Sequence, residues 1–141
     1  MSIRVACLCG KVAIELQGEP VARANCHCAS CRDFYGVPMF SATAWEPASL
    51  QMNASDVRSF SHPEKQLKKT FCAVCGEVVF GTNRLGMHVV PNAMLHRISG
   101  EGSHSSWAPT MHLFYRQRVV DVVDDLPKYL DGWDGPLYSP E

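Results

Sequence analysis

A chain of 141 residues, 46% hydrophobic and 19% charged, has material for one hydrophobic core and lies well away from the compositions that stay disordered. Thirteen Lys and Arg against 14 Asp and Glu give a formal net charge of -1, and a tetrathiolate zinc would add about two more negative units, which disfavours a nucleic-acid partner. The opening stretch MSIRVACLCGKVAIELQG is interrupted by Arg4, Lys11 and Glu15, so neither a signal peptide nor a membrane span is expected, and the cytoplasm is the expected location.

Along the chain, KVAIELQ alternates Val12, Ile14 and Leu16 against Lys11, Ala13, Glu15 and Gln17, the period of a half-buried strand, and Gly18-Glu19-Pro20 ends it. Short strand-like runs follow at VARAN, VPMFSATAW, SLQMN, VRSFS, QLKKTF, EVVFGT and MHVV, separated by Gly, Pro, Asn, Asp or Ser. One or two helical turns are predicted after Ser30 through CRDFYG. A short helical turn is predicted over DDLPKYLDG, with Pro127 near its start and Gly132 past its end. The body is therefore expected to be mainly β and to form a single domain over 1–141. Its tail, 132–141, reads as irregular, with Trp133 and Leu137 docking on the body.

Seven cysteines in the patterns C-x-C, C-x-C-x-x-C and C-x-x-C are an odd number, which in a reducing compartment argues for metal rather than disulfides. Cys7 and Cys9 with Cys72 and Cys75 compose a tetrahedral four-thiolate site, and Gly76 allows the tight turn of a zinc knuckle. Zinc-ligand free energies of about 10 kcal/mol make such a clamp structural. Cys28 and Cys31 also form a C-x-x-C pair that spacing alone allows to join Cys72 and Cys75. The more economical partition gives Cys26, Cys28 and Cys31 to one second metal.

Three thiolates leave zinc with a net charge of about -1, a weak activator of water but a good acceptor of a fourth thiolate. That predicts a thiol substrate held ionised and presented to an electrophile. The competing reading closes the site as Cys₃His with one of His27, His62, His88, His96, His104 or His112. Of these His27, flanked by two ligands, is expected to point away from the metal they share.

Taken together, CLCGKV, NCHCASCR, FCAVCGEVVF and the closing APTMHLFYRQRVVDVVDDLPKY resemble the glutathione-dependent formaldehyde-activating enzyme domain shared with centromere-protein-V-like proteins, over roughly residues 3 to 131. The resemblance implies a meandering antiparallel β-sheet zinc fold, similar to type-B methionine sulfoxide reductases and Rab-exchange-factor-like zinc proteins. It implies two zinc ions, a structural one on Cys7, Cys9, Cys72 and Cys75 and a catalytic one on Cys26, Cys28 and Cys31. The activity implied is that of a carbon-sulfur lyase forming S-(hydroxymethyl)glutathione from glutathione and formaldehyde.

A site for a thiol with two carboxylates should offer cations, and Arg23, Arg32, Lys68, Lys69, Arg84, Arg97, Arg116 and Arg118 are the candidates. Arg32 is favoured because it follows Cys31 and a cation there offsets the thiolate charge. FYGVPMF, at 34–40, is placed to line a pocket beside the metal, and His112 and Trp107 are expected to pack rather than to catalyse. The alternative to an enzyme is a non-catalytic zinc module that carries a thiol or binds a macromolecule, with its second metal closed by a protein ligand.

Overall fold

The computed structural model describes residues 2–53, 55–98 and 107–140. In chain order its strands are β1 (Ser2–Ala6), β2 (Ala13–Gln17), β3 (Ala22–Cys26), β4 (Phe40–Trp45), β5 (Leu50–Asn53), β6 (Val57–Ser61), β7 (Lys68–Cys72), β8 (Val78–Thr82), β9 (His88–Pro91) and β10 (Met111–Leu113). Two short helices, α1 (Ala29–Tyr35) and α2 (Asn92–Arg97), accompany them. The fold is mainly β, with two mostly antiparallel sheets. No helix among the described residues is long and apolar enough to cross a membrane.

The chain divides into two compact units, Met1–Ala22 with Thr43–Trp107, and Arg23–Ala42 with Ala108–Glu141. In the first, β1, β2 and β5 form an antiparallel sheet in that order. The alternation of β2 holds from Ile14 onward, with Ile14 and Leu16 buried while Glu15 and Gln17 face solvent, whereas Ala13, expected on the exposed side, is buried as well; the register sets Ile14 opposite Val5 and Met52. The same unit holds the meander β6-β7-β8-β9, each strand antiparallel to the next. Its core joins Val5, Val12, Ile14, Leu16, Trp45, Val79, Val90, Met94 and Leu95, with Cys7 and Cys72 among them. Fully buried, Trp45 keeps its indole N–H satisfied by donating to Thr43 Oγ1 at 2.7 Å.

In the second unit β10 lies parallel to β3, pairing His112 with Asn25 and Leu113 with Cys26. Helix α1 starts at Cys28, whose sulfur accepts the Cys31 amide, and stops at Gly36 in the left-handed region at φ 68°. The expected helical turn over DDLPKYLDG does not form. Asp124 instead accepts the Leu126 amide, and the Tyr129 amide donates to the His112 carbonyl, so the segment is held as isolated bridges, His112 to Lys128 and Tyr129 to Leu137. Trp133 and Leu137 do not dock as expected, since both stay about half exposed. Leu137 serves through its backbone, and it is Tyr138 that packs, edge-on to Tyr115 at 5.1 Å.

Candidate metal centres

In the first unit the sulfurs of Cys7, Cys9, Cys72 and Cys75 all lie within 4.8 Å of one another. Cys9 is 3.7 Å from Cys7 and 3.6 Å from Cys72. A zinc–sulfur bond of about 2.3 Å demands tetrahedral edges of about 3.8 Å, so the donor set fits zinc in size as well as in softness. Cys28 and Cys31 group with Cys26 and not with Cys72 and Cys75, which removes the alternative pairing.

Both halves of this centre are knuckles of one design. Gly10 and Gly76, at φ 79° and 80°, return their amides to the carbonyls of Cys7 and Cys72. Backbone amides also aim at the sulfurs, Val12 at Cys7 and both Val74 and Cys75 at Cys72, at 3.3–3.4 Å. Burial pushes Cys7 up, but the Val12 amide and the neighbouring sulfurs take it down to about 6. Cys9 goes the other way, to about 11: the Lys11 amide lowers it, while burial and the other sulfurs raise it further. Four thiols this close ionise together only around a cation.

A brace ties the two knuckles. Glu77, one residue past the second, accepts the Leu8 amide of the first at 2.9 Å and both terminal nitrogens of Arg97 at 2.6 and 2.8 Å, while Arg97 also donates to the Ala6 carbonyl. Arg97, a candidate substrate cation by sequence, is thus committed to the brace beside the four-cysteine cluster. Arg116 and Arg118 are likewise paired, with Asp131 and Asp121.

The second unit gathers the three remaining thiols, again within 4.8 Å of one another. Cys26 ends β3, Cys28 caps α1 and Cys31 sits in its first turn. Cys26 and Cys28 are 3.2 Å apart. The thiols of Cys26 and Cys31 hold Cys28 down at about 2, while Cys28 pushes Cys26 up to about 12 and Cys31, pressed by both, also rises. On its own the cluster tolerates one negative charge; a divalent cation is what allows all three to ionise.

Among the described residues no histidine joins either cluster, and His104, one of the candidates, is not among the described residues. His27 turns away as expected: its ring is buried and its Nε2 meets His112 Nδ1 at 2.8 Å. Burial first, then the charges of His112, Arg118 and Arg32, bring His27 down to about 4. Across that ring, His112 Nε2 meets Asp124 Oδ2 at 2.8 Å. Burial raises Asp124, yet the Lys128 ammonium, the His112 N–H and the Leu126 amide outweigh it and hold the carboxyl at about 2. This line of side chains escaped sequence reasoning: His112 and Asp124 both stand in the quoted closing segment, but nothing in that segment says that their side chains meet, or that His27 joins them.

Arg32 reaches back to the cysteine turn. Its Nε donates to the His27 carbonyl and its Nη2 to the Gln117 carbonyl, each at 3.1 Å. From the FYGVPMF stretch, Tyr35 stands one turn after Cys31 and stacks on Phe40 at 3.9 Å and 6°. Burial first, then the charges of Cys31 and Cys26, push its hydroxyl well above the ordinary phenol range, so it stays protonated. Trp107 belongs to the first unit, tilted against Trp45 at 6.2 Å.

A crystal structure of a Rhodobacter sphaeroides protein, a structural genomics target, matches the fold with a TM-score of 0.57 at 19% identity, over 76% of this chain and 98% of that one. No curated protein matches the sequence closely enough to count as a relative. The sequence pattern of one family covers residues 2–117, ending short of the roughly 131 expected from the motifs. With most of its length and both cysteine clusters inside that match, the chain belongs to the glutathione-dependent formaldehyde-activating enzyme family.

Proposed function

We propose that the protein is a zinc-dependent carbon-sulfur lyase that joins a small thiol of the glutathione type to formaldehyde or a similar aldehyde, and reverses the step. The observation that carries this reading is the second cluster, three sulfurs with no fourth protein donor among the described residues. Family membership supports the substrates in general terms. Cys7, Cys9, Cys72 and Cys75 are assigned a structural zinc, and Cys26, Cys28 and Cys31 the catalytic one. Zinc on three thiolates supplies a soft Lewis-acid position that takes a substrate sulfur and keeps it ionised at neutral pH.

The reaction is an addition. The thiol gives its proton to solvent, a carbon–sulfur bond forms at the carbonyl carbon, and the carbon–oxygen π pair takes up a proton to give the hydroxymethyl thioether. Tyr35, one turn after Cys31 on α1 and kept protonated chiefly by burial, is the hydroxyl we assign to donate toward the oxygen of the adduct. Arg32 braces the turn and sets a positive charge against its backbone, and we assign its remaining terminal nitrogen to a substrate carboxylate. A reducing, cytoplasmic setting suits seven unpaired cysteines.

The test is metal content and X-ray absorption on wild type and Cys28→Ser, followed by turnover with glutathione and formaldehyde. Two zinc ions per wild-type chain, one of them gaining a sulfur neighbour when glutathione is added, are expected, with the variant losing that ion and its turnover. A second zinc closed by a histidine and indifferent to thiol would make the protein a non-catalytic zinc module instead.

A further inference from the structure

Neither centre uses His27 or His112, yet both rings are fully buried and hydrogen-bonded to each other. Buried imidazoles without a partner for every nitrogen are costly to keep, so their arrangement calls for a reason. The parallel register of β10 on β3 puts His112 beside Asn25, and the His112–Lys128 bridge brings in the turn that carries Asp124. The outcome is a continuous line: Lys128 to Asp124 at 2.7 Å, Asp124 to His112 at 2.8 Å, His112 to His27 at 2.8 Å.

We propose that Asp124, His112 and His27 form a hydrogen-bonded line of fixed tautomers that positions the Cys26–Cys28 turn to receive its metal. His27 and His112 act as positioning residues, not as ligands. This rests on the reading that the three-cysteine cluster holds a metal.

Chemistry sets the direction of the line. An ionised carboxylate has only lone pairs to offer, so His112 must carry its proton on Nε2. Its Nδ1 is then the acceptor, and His27 donates from Nε2. That leaves His27 Nδ1 bare, and it is this buried atom that finds no partner. The reverse direction would leave a buried, unpartnered N–H, the more costly orphan.

Position follows from covalent adjacency. His27 is held at three points: its ring by His112, its amide by the Leu113 carbonyl at 3.0 Å, and its carbonyl by Arg32 at 3.1 Å. Cys26 and Cys28 are its chain neighbours, so fixing His27 fixes the directions in which both sulfurs leave the backbone. Asp124, the anchor, lies beyond residue 117, where the family pattern ends.

Removing either ring would empty a buried site, so the informative substitution is at the far end. Asp124 is part-exposed and lines a cleft of about 570 Å³ with Tyr115, Arg118 and Lys128. Full-length protein labelled with nitrogen-15 at histidine reports the tautomers directly. Both rings are expected neutral and protonated at Nε2, with and without zinc, and Asp124→Asn should populate the Nδ1–H form of His112. Cobalt uptake, followed by its thiolate charge-transfer bands against a competing chelator, should weaken roughly tenfold or more at the three-cysteine site, leave the four-cysteine site unchanged, and recover in Asp124→Glu.

An Nδ1–H on His112 in wild type would overturn the proposal. So would an Asp124→Asn variant with altered tautomers but cobalt affinity within about twofold of wild type. Should wild type take up only one cobalt, the proposed function fails, and amide exchange at His27 and Cys28 decides the line alone. Exchange faster by about tenfold in Asp124→Asn supports positioning, and unchanged exchange rejects it.

Discussion

Tyr35 and Asp124 carry opposite charges of meaning: one must keep its proton, the other must lose it. Replacing Tyr35 with Phe keeps the stack on Phe40 and deletes only the hydroxyl. We expect kcat for adduct formation to fall by about tenfold to a hundredfold with KM little changed, measured by steady-state kinetics. For Asp124 the folded carboxyl, at about 2, lies below its ordinary 3.8, so its contribution is present above the higher value and lost as pH falls toward the lower. Partial exposure screens it to on the order of 1–2 kcal/mol. The stability gap between wild type and Asp124→Asn, from denaturant titrations, should therefore be full at pH 6 and close as pH falls from about 4 to about 2.

Among the elements, α1 has the plainest stop signal. Gly36 sits at φ 68° with open space where a Cβ would stand, so Gly36→Ala meets no clash and costs only the left-handed backbone, about 1 kcal/mol in a urea titration. That helix was legible in CRDFYG, and β2, β5 and β6 were legible in their alternation or bounds. β10 was not: three residues paired in parallel to β3 owe their strand to a partner remote in sequence, not to a pattern of their own. α2 is six residues whose buried Met94 and Leu95 stabilise it through packing, which no local propensity announces. The DDLPKYLDG segment failed for the converse reason: Pro127 and Gly132 were read as helix start and stop signals, but Asp124 holds a turn and the backbone of His112 takes the segment into bridges. The seven cysteines were legible as four plus three because sulfur donors cluster in sequence, whereas Glu77 with Arg97 and the His27–His112–Asp124 line are tertiary and leave no spacing to read.

At the scale of the whole molecule, the two centres differ in what they hold together. Cys7 and Cys72 are buried in the core of the first unit, and the knuckles join segments far apart in the chain. The three-cysteine cluster spans six residues and clamps nothing remote. Cys72→Ser should therefore lose the cooperative unfolding transition of the first unit, while Cys28→Ser should lose one metal equivalent and all turnover yet keep that transition. Circular dichroism melts alongside metal analysis separate the two outcomes. A slow chelator titration of wild type should likewise release the second metal before the fold is disturbed.

One sulfur, that of Cys28, both accepts the Cys31 amide in the first turn of α1 and belongs to the three-cysteine cluster. A seven-residue helix has little stability of its own, so a metal held by that cluster would be thermodynamically coupled to the helix, and reciprocally. Whatever tightens α1 raises the affinity for the metal, and whatever alkylates or oxidises Cys28 unties the helix as well as the ion. Chemical injury at that one atom would become a loosened stretch of backbone, readable as new proteolytic cleavage within 29–35.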